Sequence, residues 1–165
     1  MDERVWKKAF TLIQNINISN HVKALQFKIL HQCLATNELL FKMNIVPSHS
    51  CSFCMLYCET QEHLLFGCFV SKNFWFDVNT LWKSKCNSSS QIDLSYKTFG
   101  VLSKKTNTLN TALNIIILIG KAYLWQAKQK STRVHISLFV TFLKNMITCY
   151  KQNTDVKLIL DKFWS

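Results

Sequence analysis

Four residues could hold one metal ion: Cys51, Cys54, His63 and Cys68, at C-x2-C-x8-H-x4-C spacing. Three thiols and one imidazole are a donor set that tetrahedral zinc takes, and a C-x2-C turn brings two thiolates from one tight bend. Four protein ligands close the coordination shell and leave no position for an activated water. The metal implied is therefore a structural Zn2+, one per chain, with no catalytic role. Cys58 lies within the same span, so a set using it in place of Cys51 or Cys54 stays open, as does a chain without metal. A tighter C-x2-C-x4-H-x4-C knuckle would need a cysteine at position 55, where the chain has Met55. His49 is a weaker, bystander candidate.

The elements that must position these donors are helical. His63 and Cys68 lie five apart, and on a regular α-helix such positions point roughly 140° away from each other. Gly67 offers a way out, ending a helix that begins near Thr60 so that Cys68 turns back toward His63. Upstream, Val5, Trp6, Ala9, Phe10 and Ile13 form one stripe and predict a helix over 3–14, broken at Asn15–Asn20. A second helix over about 21–33 turns Val22, Leu25, Ile29, Leu30 and Cys33 inward. A third, capped by Thr36, runs through Leu39, Leu40 and Met43 before Pro47.

Downstream, Phe74, Trp75, Val78, Leu81 and Trp82 predict a helix over 71–84 with Ser71 near its cap. Residues 86–107 are a polar connection, within which 92–101 is read as a short extended piece. Two longer helices follow, over about 108–128 and 135–151, the second with Ile136, Phe139, Val140, Leu143, Met146, Ile147 and Tyr150 on one face. The apolar run Ile115–Gly120 is too short for the roughly 20 residues of a membrane span and reads as a buried turn of the first. The expected fold is mainly α, a helical domain with a small Cys3His zinc-stapled loop-helix unit. The chain divides into an N-terminal helical segment (1–50), the zinc unit with its following helix (51–85), the connection (86–107) and basic C-terminal helices (108–165), packed as one compact domain.

Apolar residues make up 48% of the 165, while Gly (3) and Pro (1) are scarce, which disfavours disorder and turn-rich architectures. Met1-Asp2-Glu3-Arg4 leading into Val5-Trp6-Lys7-Lys8 lacks a secretory leader's pattern. An intracellular location, nucleus or cytoplasm, is expected, with its seven cysteines reduced. Neither membrane nor small-molecule substrate is implied.

The net charge is +11, and its excess lies late: residues 96–165 hold eleven Lys/Arg against two acids. Such a field attracts polyanions, with RNA or DNA the commonest large one. The zinc segment adds nothing to it, since no Lys or Arg falls between Lys42 and Lys72 while Glu59 and Glu62 do. Lys121, Trp125 and Lys128 share a helix face at spacings of four and seven, and Lys130 and Arg133 follow; these five are the candidate nucleic-acid contacts. Against them, lysines commonly do no more than solvate helix faces, and only two of the twenty basic residues are Arg. Trp6, Trp75, Trp82 and Trp125 lie on apolar stripes, where core packing is the ordinary role, and His21, His31 and His135 read as ordinary helix residues.

Several segments together resemble the zinc-binding region that follows the reverse transcriptase in LINE-type (non-LTR) retrotransposon polyproteins. They are Leu25-Gln26-Phe27-Lys28-Ile29-Leu30-His31, Thr36-Asn37-Glu38-Leu39-Leu40-Phe41-Lys42-Met43, Cys51-Ser52-Phe53-Cys54, Glu59-Thr60-Gln61-Glu62-His63-Leu64-Leu65-Phe66-Gly67-Cys68 and Phe74-Trp75. Ile117-Leu118-Ile119-Gly120-Lys121 is similar to the tail of animal members. The resemblance covers about 20–150 and implies a non-catalytic region that helps a polyprotein engage RNA template or target DNA, with the rest of that polyprotein as a partner. Polymerase-type Asp-Asp pairs and Gly-rich phosphate loops are lacking, and no nucleophile, base and orienting partner stand at plausible spacing. The competing readings are a helical protein-interaction domain whose charge only keeps it soluble, and a retroelement remnant with no retained role.

Overall fold

One helix is apolar on nearly every side, and the others are arranged around it. The computed structural model describes residues 3–86, 98–100, 107–149 and 154–163. Within them the elements are α1 (Glu3–Asn15), α2 (Asn20–Leu30), α3 (Asn37–Lys42), a π-helical turn (His63–Gly67), α4 (Phe69–Cys86), α5 (Thr108–Lys130), α6 (Ile136–Thr148) and α7 (Thr154–Asp161). Among the described residues no strand forms, and the one β feature is an isolated antiparallel bridge, Ser50 to Cys58. The protein is thus mainly α, as its periodicities predict.

α5 is the centre. Every residue from Ala112 to Leu124 is buried, and a helix that is apolar all round belongs in an interior. Its length and composition would suffice to cross a membrane, but here its flanks pack on α2, α6, α7 and the π turn. Asn107 caps its start, the side chain accepting from Leu109 N at 3.0 Å, and Ser131 at φ +50° ends it. Gly120 lets α4 approach: a Cβ there would lie 2.8 Å from Trp75 Cη2.

The outer helices follow their stripes. Ser19 caps α2 by accepting from Val22 N (3.2 Å), and Thr36 caps α3. Ile16 and Ile18, in the predicted break, are both buried and join the main core. α6 starts at His135, whose side chain accepts from Ser137 N, so this histidine is a cap and not a mid-helix residue.

Four expectations are corrected. α2 stops at Leu30 because Gln32 turns left-handed (φ +55°), which takes Cys33 off the inward stripe and leaves it exposed. α3, expected to run through Met43, ends at Lys42 and buries none of its residues, with Met43 as its cap, 59% exposed. Ser71 is no cap: α4 begins two residues earlier, and Ser71 lies buried within it. α7, which the periodicity did not announce, closes the core with Val156 and Leu160, and the buried Phe163 just beyond it lies 6.2 Å from the Trp82 ring. Most of the proposed extended piece, 92–97 and 101, lies outside the described residues; of its described part, 98–100, Thr98 and Phe99 are helical and Gly100 turns left-handed (φ +85°).

Candidate metal centre

The first two donors come from a fold-back. Cys51 N donates to Tyr57 O and Met55 N to Cys51 O, each at 2.8 Å, and Met55 reverses the chain at φ +59°. This reversal holds Cys51 and Cys54 on one small loop.

The second pair is set by a π turn. Residues 61 and 62 are α-helical, but from His63 the hydrogen bonds reach five residues back, Cys68 N donating to His63 O at 2.6 Å. Positions five apart, which diverge on an α-helix, are thereby brought one above the other. Cys68 then leaves in extended conformation (φ −61°, ψ 142°). Gly67 is not the cause, which corrects the expected helix break. A Cβ there would meet Glu62 O and His63 Nδ1 at 3.6 Å, an ordinary contact. The π turn leaves two carbonyls to be satisfied elsewhere, and α4 does so: Ser71 Oγ donates to Leu64 O (2.5 Å) and Trp75 Nε1 to Leu65 O (2.8 Å).

The four donor atoms of Cys51, Cys54, His63 and Cys68 lie within 4.8 Å of one another. Cys54 Sγ is 3.4 Å from His63 Nε2. Zinc bonds of about 2.3 Å to sulfur and about 2.0–2.1 Å to nitrogen, at tetrahedral angles, put those two atoms about 3.6 Å apart. The donor set therefore fits zinc. Cys58 and His49 stand outside the cluster, and among the described residues no other group of three or more His, Cys, Asp or Glu gathers in this way.

The surroundings favour thiolates at one sulfur and disfavour them at two. Burial pushes the Cys51 thiol up to about 12, and it pushes Cys68 up as well. At Cys54 burial acts in the same direction but is outweighed by the N–H groups of Leu56 and Tyr57 and by His63, which bring it down to about 6. N–H groups also face the other sulfurs, Phe53 N reaching Cys51 Sγ at 3.4 Å. Three thiolates on a dication leave one net negative charge, which such donors stabilise. Two of the donors, Cys51 and Cys68, form with Leu64 a buried floor on which Phe53, Cys54, Val70 and Trp125 pack.

Glu59 anchors the loop to the rest of the chain, a role the sequence reading missed. Its side chain is fully buried, and Oε2 accepts from Ser52 N (2.6 Å) and Ser52 Oγ (2.5 Å) while Oε1 accepts from Asn37 N (2.8 Å). The Lys128 ammonium pairs with the same Oε1 and also reaches Asn37 Oδ1 (3.1 Å). Burial alone would raise the Glu59 carboxyl, yet Lys128, Ser52 and Asn37 hold it below the ordinary value.

The five nucleic-acid candidates do not form one open face. Lys121 is 1% exposed, because α5 is buried on the side that carries it; Nζ reaches Thr98 O at 3.4 Å, and burial lowers the amine to about 7. Trp125 packs on the floor that Cys51, Leu64 and Cys68 form, and Lys128 is held inward by Glu59, its Nζ 5.2 Å above the Trp125 ring. Only Lys130 and Arg133 are exposed.

Residues 2–75 match the family described as zinc-binding in reverse transcriptase, a stretch from α1 into α4 that contains all four donors. The match supports a reverse transcriptase zinc-binding domain over that stretch, and with the Cys3His cluster it supports a zinc-binding module as distinct from a polymerase domain. No curated protein and no solved structure matches the chain significantly.

Proposed function

We propose that the chain is a non-catalytic module of a retrotransposon reverse transcriptase polyprotein, in which one Zn2+ held by Cys51, Cys54, His63 and Cys68 stiffens a helical domain that helps bind RNA or DNA template. The observation that carries this reading is the closed Cys3His set within the stretch similar to zinc-binding in reverse transcriptase. The metal, when bound, supplies cross-linking of the loop to the π turn, and with four protein donors it leaves no open position for a reacting water. Cys51 and Cys68 close the buried side, Cys54 and His63 the outer one. Polyanion binding is supported by the charge of +11.

The test has two readouts. Purified protein should carry about one zinc per chain, and labelled RNA or DNA should bind with an affinity that falls steeply as salt rises. Zinc-loaded protein that binds neither at about 50 mM salt sinks the template-binding role.

A protein-interaction role has one observation in its favour. Met55, Leu56 and Tyr57 at the loop tip are 72%, 76% and 65% exposed, an apolar tip that a partner chain could cover.

A further inference from the structure

α1 and α2 meet in a surface made of rings. Trp6 and Phe10 stack with centroids 5.7 Å apart, and on α2 and its cap Phe27 and His31 lie 4.2 Å apart. Phe10 joins the two pairs, at 5.9 Å from Phe27 and 5.6 Å from His31. Ala9, Ile13 and Leu30 support the inner side of Trp6 and Phe10. The outer side is open, with Phe27 50% exposed and His31 exposed.

The rings come with cations. Lys23 precedes Phe27 by one turn of α2 and Lys28 follows it directly, while Lys7 lies one turn before Phe10 on α1. Lys7 and Lys28 are exposed, and Lys23 makes one surface bond, to Gln14 O at 3.2 Å. Residues 3–33 carry five Lys/Arg and a single acid, Glu3. Clustered rings within a cationic rim are the composition that takes unpaired bases on the ring faces and phosphates at the rim. A duplex keeps its base faces within its own stack and cannot use them.

We propose that this α1–α2 ring surface binds a single-stranded polynucleotide, with bases stacking on Phe27 and His31 and phosphates pairing with Lys7, Lys23 and Lys28. The inference rests on the nucleic-acid reading above, and it moves the contact away from α5, where Lys121 and Lys128 are turned inward.

The test uses the zinc-loaded full chain with fluorescein-labelled oligouridine, oligothymidine and a short duplex. Both single strands should bind more tightly than the duplex. Phe27→Ala should weaken single-strand binding about tenfold, and Phe27→Trp should restore it, since any ring face serves. Lys28→Ala should lower the salt slope by about one. Phe76→Ala, which removes a 70% exposed ring on α4, should bind as the parent does. A parent that binds strands while Phe27→Ala and His31→Ala bind equally well overturns the ring surface and leaves the nucleic-acid reading standing. A loss in Phe27→Ala that Phe27→Trp fails to restore, or a preference for duplex, also overturns it. A parent that binds none of the three probes overturns both.

Discussion

Lys128 and Glu59 form an ion pair with the lysine side chain 9% exposed and the glutamate not at all, joining α5 to the donor loop across the interior. Glu59 receives two more bonds from Ser52 and one from the start of α3, so a single carboxylate ties three parts of the chain together.

Removing the cation strands the carboxylate. Lys128→Met should destabilise the protein by about 3–5 kcal/mol in chemical denaturation, with Glu59→Gln in the same chain recovering much of the loss. The pH dependence follows from the lowered Glu59 carboxyl. Its contribution is complete above the unfolded value of 4.5 and is lost as pH falls through the lower folded value, so the double variant should lose less stability below pH 4.5. Equal acid sensitivity in both proteins would count against the pair.

The ligand set is separable from its neighbour. Cys58→Ser should keep about one zinc per chain, whereas Cys54→Ser or His63→Ala should lower metal content and, like chelation, reduce the helical signal. Metal analysis and circular dichroism on the same samples decide it; a Cys58→Ser protein without zinc would displace the assignment.

Lys121 predicts a rise in stability on the alkaline side. Burial lowers its folded value from 10.5 to about 7, so the unfolded chain holds the extra proton between those limits. Stability from this group therefore increases as pH climbs from about 7 toward 10.5 and is flat below 7. Lys121→Met should be more stable than the parent at pH 7 and show a smaller gain by pH 9, read by urea denaturation of the two zinc-loaded proteins. Parallel curves would refute it.

Met55 occupies a left-handed conformation at φ +59°, which costs a side-chain-bearing residue roughly 1–2 kcal/mol that glycine avoids. Part of that gain is offset by glycine's freer unfolded chain. Met55→Gly should raise stability by about 1 kcal/mol, visible as a higher melting temperature of the zinc-loaded protein; no change would mean that the loop relaxes at this residue.

The helices and the four donors were legible because local spacing specifies both. α1, α2, α4, α5 and α6 carry apolar stripes within their own segments, and cysteine and histidine have few other reasons to gather at zinc spacing. What escaped depends on partners far along the chain. Glu59 and Lys128 lie 69 residues apart, so local spacing presents one as an acid, beside Glu62, of a segment without Lys or Arg and the other as a surface cation. Lys121 followed the same rule of thumb, that charge faces water, and the all-round burial of α5 overrode it. The π turn left no mark in composition, since it is held by Ser71 and Trp75 of the next helix. α7 is only eight residues long, too short for its period to stand out.

The stretch that resembles other proteins and the stretch that holds itself together have different lengths. A fragment cut after Trp75 would keep every metal donor, yet it would surrender the cation for Glu59 and the helix against which Trp75 packs at Gly120. Transplanted alone into another protein, it would arrive with a buried negative charge and an uncovered indole. The unit that natural recombination or an engineer could move intact therefore extends at least through Lys128, more than fifty residues past Trp75, where the matched stretch ends.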